Sequence, residues 1–432
     1  MGRVLLALMT LSTLAACKGG GGAAAGTSTA AGPGTASGPG ESSAASTAGP
    51  TSGIADSDGD SSSGPGTGAD GETQTDGGTT GGVPQGRPFV YVGGYDPNIR
   101  VFELNPDDGA LTAVGGPVEA GPSPSFLAAD PDGEFLFAVN EVGDFNGEST
   151  GSVTSFAIDP ATGGLTFVDR VSSVGQGPAH LSTDRSGAWL LVATYTGGNA
   201  AVLPIGRAGA LGKAVSVQMH GNGAQSHMIM ASPANDAVFV PNRALDTVAQ
   251  YSFDAVSGAL TPNAVPTVSA ARGAGPRHMD FHPSLDRAYV INEDGHTVVV
   301  YALSEAGELS PLQTIGTLPK GVDGAGNSCA DIHLHPSGAF AYGSNRGHDS
   351  IVTYAVDPVD GTLTLIGHVP TGGQTPRNFE VSPDGTLLLV ANQNSDNVVA
   401  FSIDGTGLPT ATGAVTSVPT PSFVGVVLVP EP

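Results

Sequence analysis

The chain has 432 residues, and its 40 acidic against 15 basic side chains give a net charge of −25. That balance excludes nucleic acid and anionic lipid surfaces as electrostatic partners. The two cysteines exclude a disulfide framework, and charged residues make up only 13% of the chain, so any cluster of them is informative.

Residues 1–17 read as an export signal. Arg3 supplies a positive start and the apolar run VLLALMTL is too short to span a bilayer. The segment ends Leu14-Ala15-Ala16-Cys17, which resembles a bacterial lipobox, so cleavage before Cys17 and lipidation of Cys17 are expected. That places the protein in the bacterial cell envelope, lipid-anchored on the outer-membrane or periplasmic side. Lys18 is not an inner-membrane retention signal, which favours the outer membrane. Residues 18–86 are Gly, Ser, Thr, Ala and Pro with scattered acids and almost nothing to bury, the composition of a disordered tether.

Residues 87–432 carry a repeat. DPDGEFLFAVNE, DRSGAWLLVATY, SPANDAVFVPNR, HPSLDRAYVINE, HPSGAFAYGSNR and SPDGTLLLVANQ begin at residues 130, 184, 232, 282, 335 and 382. Each reads as a tight turn followed by a second strand, preceded by a short inner strand such as Arg277 to His282. Between them lies a strand, an Asp-Pro-type turn and a strand opening on Leu-Thr, as in SFAIDPATGGLTFV and TYAVDPVDGTLTLI. A period of about 50 residues with four short strands predicts an all-β propeller of four-stranded antiparallel blades. Six units are complete. The seventh is split: FVYVGGY, IRVFEL and LTAV supply three strands, and the C-terminal SFVGVVLV supplies the first. Seven blades closed by both chain ends are therefore expected.

The antiparallel pairing brings the start of each inner strand and the end of each second strand to one face around the central channel. The first set is GPAH with His180, SHM, GPRH with Arg277 and His278, CADIH with His333, and TPRN with Arg377. The second set includes Glu141, Asn292 with Glu293, and Asn345 with Arg346. Such a rim suits an anionic, oxygen-rich small molecule, because guanidinium groups match carboxylate or phosphate and His and Glu move protons near neutral pH. The bland alternative is that these side chains tie neighbouring blades together. Neither an HExxH nor a cysteine-pair motif occurs around His333 and His335 or elsewhere, so no metal site is expected. Cys329, in a small-residue run, reads as packing.

The runs SNRGHDSIVTYAVDPVDGTLTLIGHVPTGG and TPRNFEVSPDGTLLLVANQNSDNVVAF, together with GPRH, resemble the seven-bladed lactonase propellers. That group includes bacterial propeller-type 6-phosphogluconolactonase and fungal carboxy-muconate lactonizing enzyme, and the resemblance covers roughly residues 88–429. By motif it implies a catalytic set of His227, Arg277, Glu293 and Arg346. His180, Glu141, His278, Asn292, His333, Asn345 and Arg377 form the substrate-binding rim around it. The departures are GGYD in the first blade where GTYT is usual, Asp331 where the family has Glu before Ile-His, and Ser226 in place of a more usual Ala. The implied activity is hydrolysis of a sugar lactone or related lactone without a cofactor, by a protein expected to be a monomer. A muconate-type cycloisomerase and a surface-tethered binding propeller without turnover are the alternatives.

Overall fold

The computed structural model describes residues 86–431 except residue 222. The expected export signal, the lipidated Cys17 and the tether up to residue 85 lie outside the described residues. The described chain folds into seven antiparallel sheets arranged as the blades of a propeller, and its helical content is three 3-10 segments of three residues each. Six blades are four consecutive strands. In the fifth, Pro276–Phe281, Arg287–Asn292, Thr297–Leu303 and Leu309–Gly316 pair in that order.

The first blade is the split one. Pro421–Val429 pairs antiparallel with Arg87–Gly94, which pairs onward to Asn98–Leu104 and Leu111–Ala113. The register runs from Arg87 opposite Val429 to Gly94 opposite Pro421, so strands from both ends close the ring. A two-residue strand, Val118–Glu119, also pairs with Asn98–Leu104. The sequence did not announce it, because two residues carry no periodicity.

The second strand of each blade is apolar on both faces because it is covered on both. In Trp189–Thr194, Leu190 and Val192 pack with Phe137, Val139 and Val153 of the preceding blade. Leu191 and Ala193 point the other way and pack with Ile229, Val238 and Val240 of the following one. The period-2 alternation of a strand thus serves two neighbours rather than core and solvent.

A recurring polar tie accompanies this packing. The hydroxyls of Tyr91, Tyr289 and Tyr342 donate to the carbonyls of Gly163, Gly361 and Gly407 in the next blade, at 2.8, 2.8 and 2.9 Å. Trp189 Nε1 donates likewise to Ala255 at 2.8 Å. Each acceptor lies in or beside the turn between the outer two strands. At Gly407 the backbone requires glycine: φ is +77°, and a Cβ would run into the Phe340 ring.

Candidate active site

The inner strands do not pair regularly at their channel-mouth ends. In the fifth blade Pro276 faces Asn292 and His278 faces Ile291, which leaves Arg277 as an extra, unpaired residue. The same register skip occurs at Ala179, at Arg377, at Ser422, and across Ala330 and Asp331. A bulge of this kind turns consecutive side chains toward the same side. Hence Arg277 with His278, and Arg377 with Asn378, both reach the mouth. The inner strand expected over Arg277 to His282 runs Pro276–Phe281 instead, and Arg277, unpaired in the ladder, meets Glu293 through its side chain.

Around the mouth stand Ser125, Phe126, Glu141, His227, Arg277, His278, Arg377 and Asn378. They enclose a space of about 10 Å³, the size of a single water molecule. Glu141 is fixed by hydrogen bonds from Ser125 Oγ (2.6 Å) and Tyr95 OH (3.2 Å). Arg377 makes no ion pair among the described residues; its guanidinium lies 5.5 Å from the centre of the Tyr95 ring.

Beside this space lies a group of arginines organised by one carboxylate. Glu293 is bound by Arg277 Nη1, by Arg346 Nη2 at 3.1 Å, and by Arg243 Nε at 3.4 Å. Burial alone would raise its pKa, but the guanidinium groups of Arg277, Arg346 and Arg243 overcome that and hold it at about 2. Arg277 also donates from Nε to the Ala330 carbonyl (3.0 Å), and Arg346 from Nη2 to the Cys329 carbonyl (2.7 Å). Burial and the nearby Arg277 pull Arg346 down to about 9, with Glu293 opposing. His227 faces this cationic field. Its backbone N–H bonds to the Pro241 carbonyl at 2.9 Å, and its ring meets Tyr195 edge-on at 5.5 Å. Burial first, then Arg277, keeps it neutral well below the ordinary histidine range.

Deeper in the channel the character reverses. A cavity of about 260 Å³ is lined on one side by Phe126, Met228, Met230 and Phe423, and on the other by Asp280, Asp331, His333 and Glu380. Asp331 is 3% exposed and accepts four hydrogen bonds, from His278 Nδ1 (2.7 Å), the Ile332 N–H (3.0 Å), Asn378 Nδ2 and His333 Nε2 (3.2 Å). Burial pushes its pKa up, yet His333 and His278 hold it well below the carboxylate range. Burial pulls His333 down, but Asp331, Glu380 and Asp280 more than reverse this and keep it protonated. Burial lifts the Glu380 carboxyl to about 7.

The structure therefore brings together Arg277, Glu293 and Arg346 in one ion-paired group, with His227 on the adjoining wall of the mouth. Glu141, His278 and Arg377 line the mouth, while His180 and His333 line the inner cavity. Asn292 and Asn345 line neither. Asn292 Nδ2 bonds to Thr297 Oγ1 at 2.9 Å, and Asn345 Nδ2 to the Thr317 carbonyl at 2.9 Å, matching Asn140 on Ala120 and Asn392 on Thr371. These asparagines fasten the ends of second strands. Cys329 is fully buried beside Thr317 and Asn345, and burial pushes its thiol up to about 12. The residues singled out from sequence as the site did not include Tyr95, Ser125, Arg243, Asn378, Asp280 or Glu380, although the runs NR, TPRN and CADIH already put Arg243, Asn378 and Asp331 at the rim. Arg243, Asn378 and Asp331 occupy the same repeat positions as residues already singled out, and that equivalence was the usable signal.

A family model described as "Lactonase, 7-bladed beta-propeller" matches residues 89–426. A curated 6-phosphogluconolactonase of Formosa agariphila is 33% identical, over 71% of this chain and 88% of its own length. That of Bacillus subtilis is 30% identical, over 78% and 96% respectively. Among solved structures, the periplasmic gluconolactonase of Pseudomonas aeruginosa superposes with a TM-score of 0.73 at 32% identity, covering 79% of this chain and 99% of that one.

Proposed function

Because the chain belongs to the seven-bladed lactonase propeller family, we propose that it hydrolyses a lactone by water attack at the channel mouth. The observation that carries this reading is the mouth itself. Two arginines and two imidazoles held below the ordinary histidine range converge there. Arg377, which has no acidic partner among the described residues, takes the anionic or polyhydroxy part of the substrate. Arg277 stabilises the negative charge that develops on the carbonyl oxygen as water adds. Glu293 is engaged by three guanidinium groups and serves to fix Arg277 and Arg346 in place; a carboxylate held at about 2 is a weak base. Water activation therefore falls to an imidazole of the mouth, His227 or His278. No covalent intermediate is needed.

The proposed substrate is an unphosphorylated sugar lactone outside the cytoplasm. The export signal and lipobox at Cys17 support an envelope lipoprotein, and the similar Pseudomonas protein is a periplasmic gluconolactonase. The test is proton release at constant pH by the purified protein on gluconolactone, its 6-phosphate and other lactones, with spontaneous hydrolysis subtracted. Turnover of gluconolactone above its 6-phosphate supports the reading. Ligand binding without turnover on any lactone overturns it in favour of a binding propeller. Labelling with radioactive palmitate in cells, lost in Cys17→Ser, checks the anchor.

A further inference from the structure

His278 lies at the boundary between the mouth and the inner cavity and lines both. It is 3% exposed. Its Nδ1 stands 2.7 Å from Asp331 Oδ1. Asp331 is already an acceptor for a backbone amide, an asparagine amide and a second imidazole, all of them donors. A carboxylate so placed can only accept, so His278 must carry its proton on Nδ1. Nε2 is then the bare nitrogen, and among the described residues it has no hydrogen-bond partner. A buried imidazole with one nitrogen locked on a carboxylate and the other left free is the arrangement that makes a histidine a directed base. His227 lacks such backing: its Nδ1 is unpartnered among the described residues and no carboxylate bonds to it.

We infer that His278 Nε2 removes the proton from the attacking water, and that Asp331 is the positioning residue that fixes its tautomer and steadies the imidazolium. The inference rests on the lactone hydrolysis proposed above. As the water oxygen bonds to the carbonyl carbon, its O–H bond breaks and the proton goes to Nε2. The carbon–oxygen bond of the ring then breaks, and the ring oxygen takes the proton back from Nε2. The new carboxylic acid releases its proton to solvent. His227 stays neutral as a hydrogen-bonding wall. The groups facing His278 are Asp331 and His333 from the sixth blade, His180 from the third, His227 from the fourth and Arg277 beside it. Of these only Asp331 makes His278 a stronger base by direct contact.

The test is steady-state kinetics of the full chain and its variants on a lactone that the wild type hydrolyses, followed from pH 5 to 8. His278→Asn should lower kcat by about a hundredfold or more with KM within about threefold, and should abolish the acid limb of the pH profile. Asp331→Asn should lower kcat at its plateau and move that limb to lower pH, because the carboxylate no longer raises the imidazole. The double variant should be no slower than His278→Asn alone. A kcat within threefold of wild type in folded His278→Asn overturns the inference, as does an unmoved limb in Asp331→Asn. Should either variant fail to fold, ¹⁵N shifts of the wild-type imidazoles decide: His278 protonated on Nδ1 supports the assignment, and protonation on Nε2 overturns it. Wild type inactive on every lactone removes the hydrolase reading itself, an outcome that the variants cannot mimic.

Discussion

The mouth and the inner cavity are built by the same inner strands, yet they carry opposite charge. The mouth presents Arg277 and Arg377, with Arg346 and Arg243 behind them and imidazoles kept neutral. The cavity presents Asp280, Asp331 and Glu380 around a protonated His333. Along each strand the two regions are only a few residues apart. What separates them is the bulge near each strand start, which turns two consecutive residues toward the mouth before regular alternation resumes. The entrance thus leaves the Arg377 guanidinium without an acidic partner among the described residues, whereas the cavity balances its charges internally.

The sharpest way to break this comparison is Arg277→Ala. It removes the guanidinium assigned to the developing oxyanion, and kcat/KM on a responsive lactone should fall by about 10²–10³-fold. An unchanged kcat/KM would show that the arginines of the mouth serve only the architecture.

Glu293→Gln should have a smaller effect on the chemistry and a clear one on stability. The amide can still accept from Arg277, but Arg346, a buried cation, loses its counter-charge. Breaking such a pair costs roughly 3–5 kcal/mol when one charge is left alone, and the retained hydrogen bonds reduce that. A drop in Tm with a loss of about tenfold in kcat/KM is expected. Loss of all turnover with an unchanged Tm would instead make Glu293 the base.

How much of this was legible beforehand follows from which physical rule governed each residue. Blade number, four-strand blades and ring closure by Pro421–Val429 were readable because turn chemistry and strand alternation repeat about every 50 residues. The face that carries the site was readable because antiparallel pairing fixes which strand ends meet. The bulge was not, since an extra residue looks like any other residue in a strand. Asn292 and Asn345 looked like rim residues because the repeat placed them there; their side chains turn instead to Thr297 and Thr317. The acidic cavity was missed because Asp280, Asp331 and Glu380 are distant in sequence and converge only through the channel.

A third measurement separates the neutral imidazoles, His180 of the cavity among them, from the cavity's acidic side by pH. His180, His227 and His278 are buried and held below the ordinary histidine range. A group whose pKa is depressed by folding contributes stability above its unfolded value near 6.5, and loses it as pH falls through its folded value. Tm should therefore decline between pH 7 and pH 5. His180→Gln, which removes the ring lying tilted 4.2 Å from Phe126, should show a shallower decline. Identical slopes would mean that the neutral imidazoles are not the source.

The cavity should respond at the other end of the scale, and by less. Glu380 is raised from 4.5 to about 7 by burial, so folding favours its protonated form. Its cost to stability appears as pH rises from about 4.5 and is complete above about 7. His333, raised by Asp331, acts in the same sense: its contribution is full below about 6.5 and fades as pH climbs through its folded value. Glu380→Gln removes one of these two parallel trends without touching the mouth. At pH 8 it should raise Tm by on the order of 2 °C, at pH 5 it should change little, and kcat should stay within about threefold. A loss of turnover as large as that of Arg277→Ala would overturn the division drawn here, because it would make the cavity's carboxylates part of the reaction rather than a charge balance beneath it.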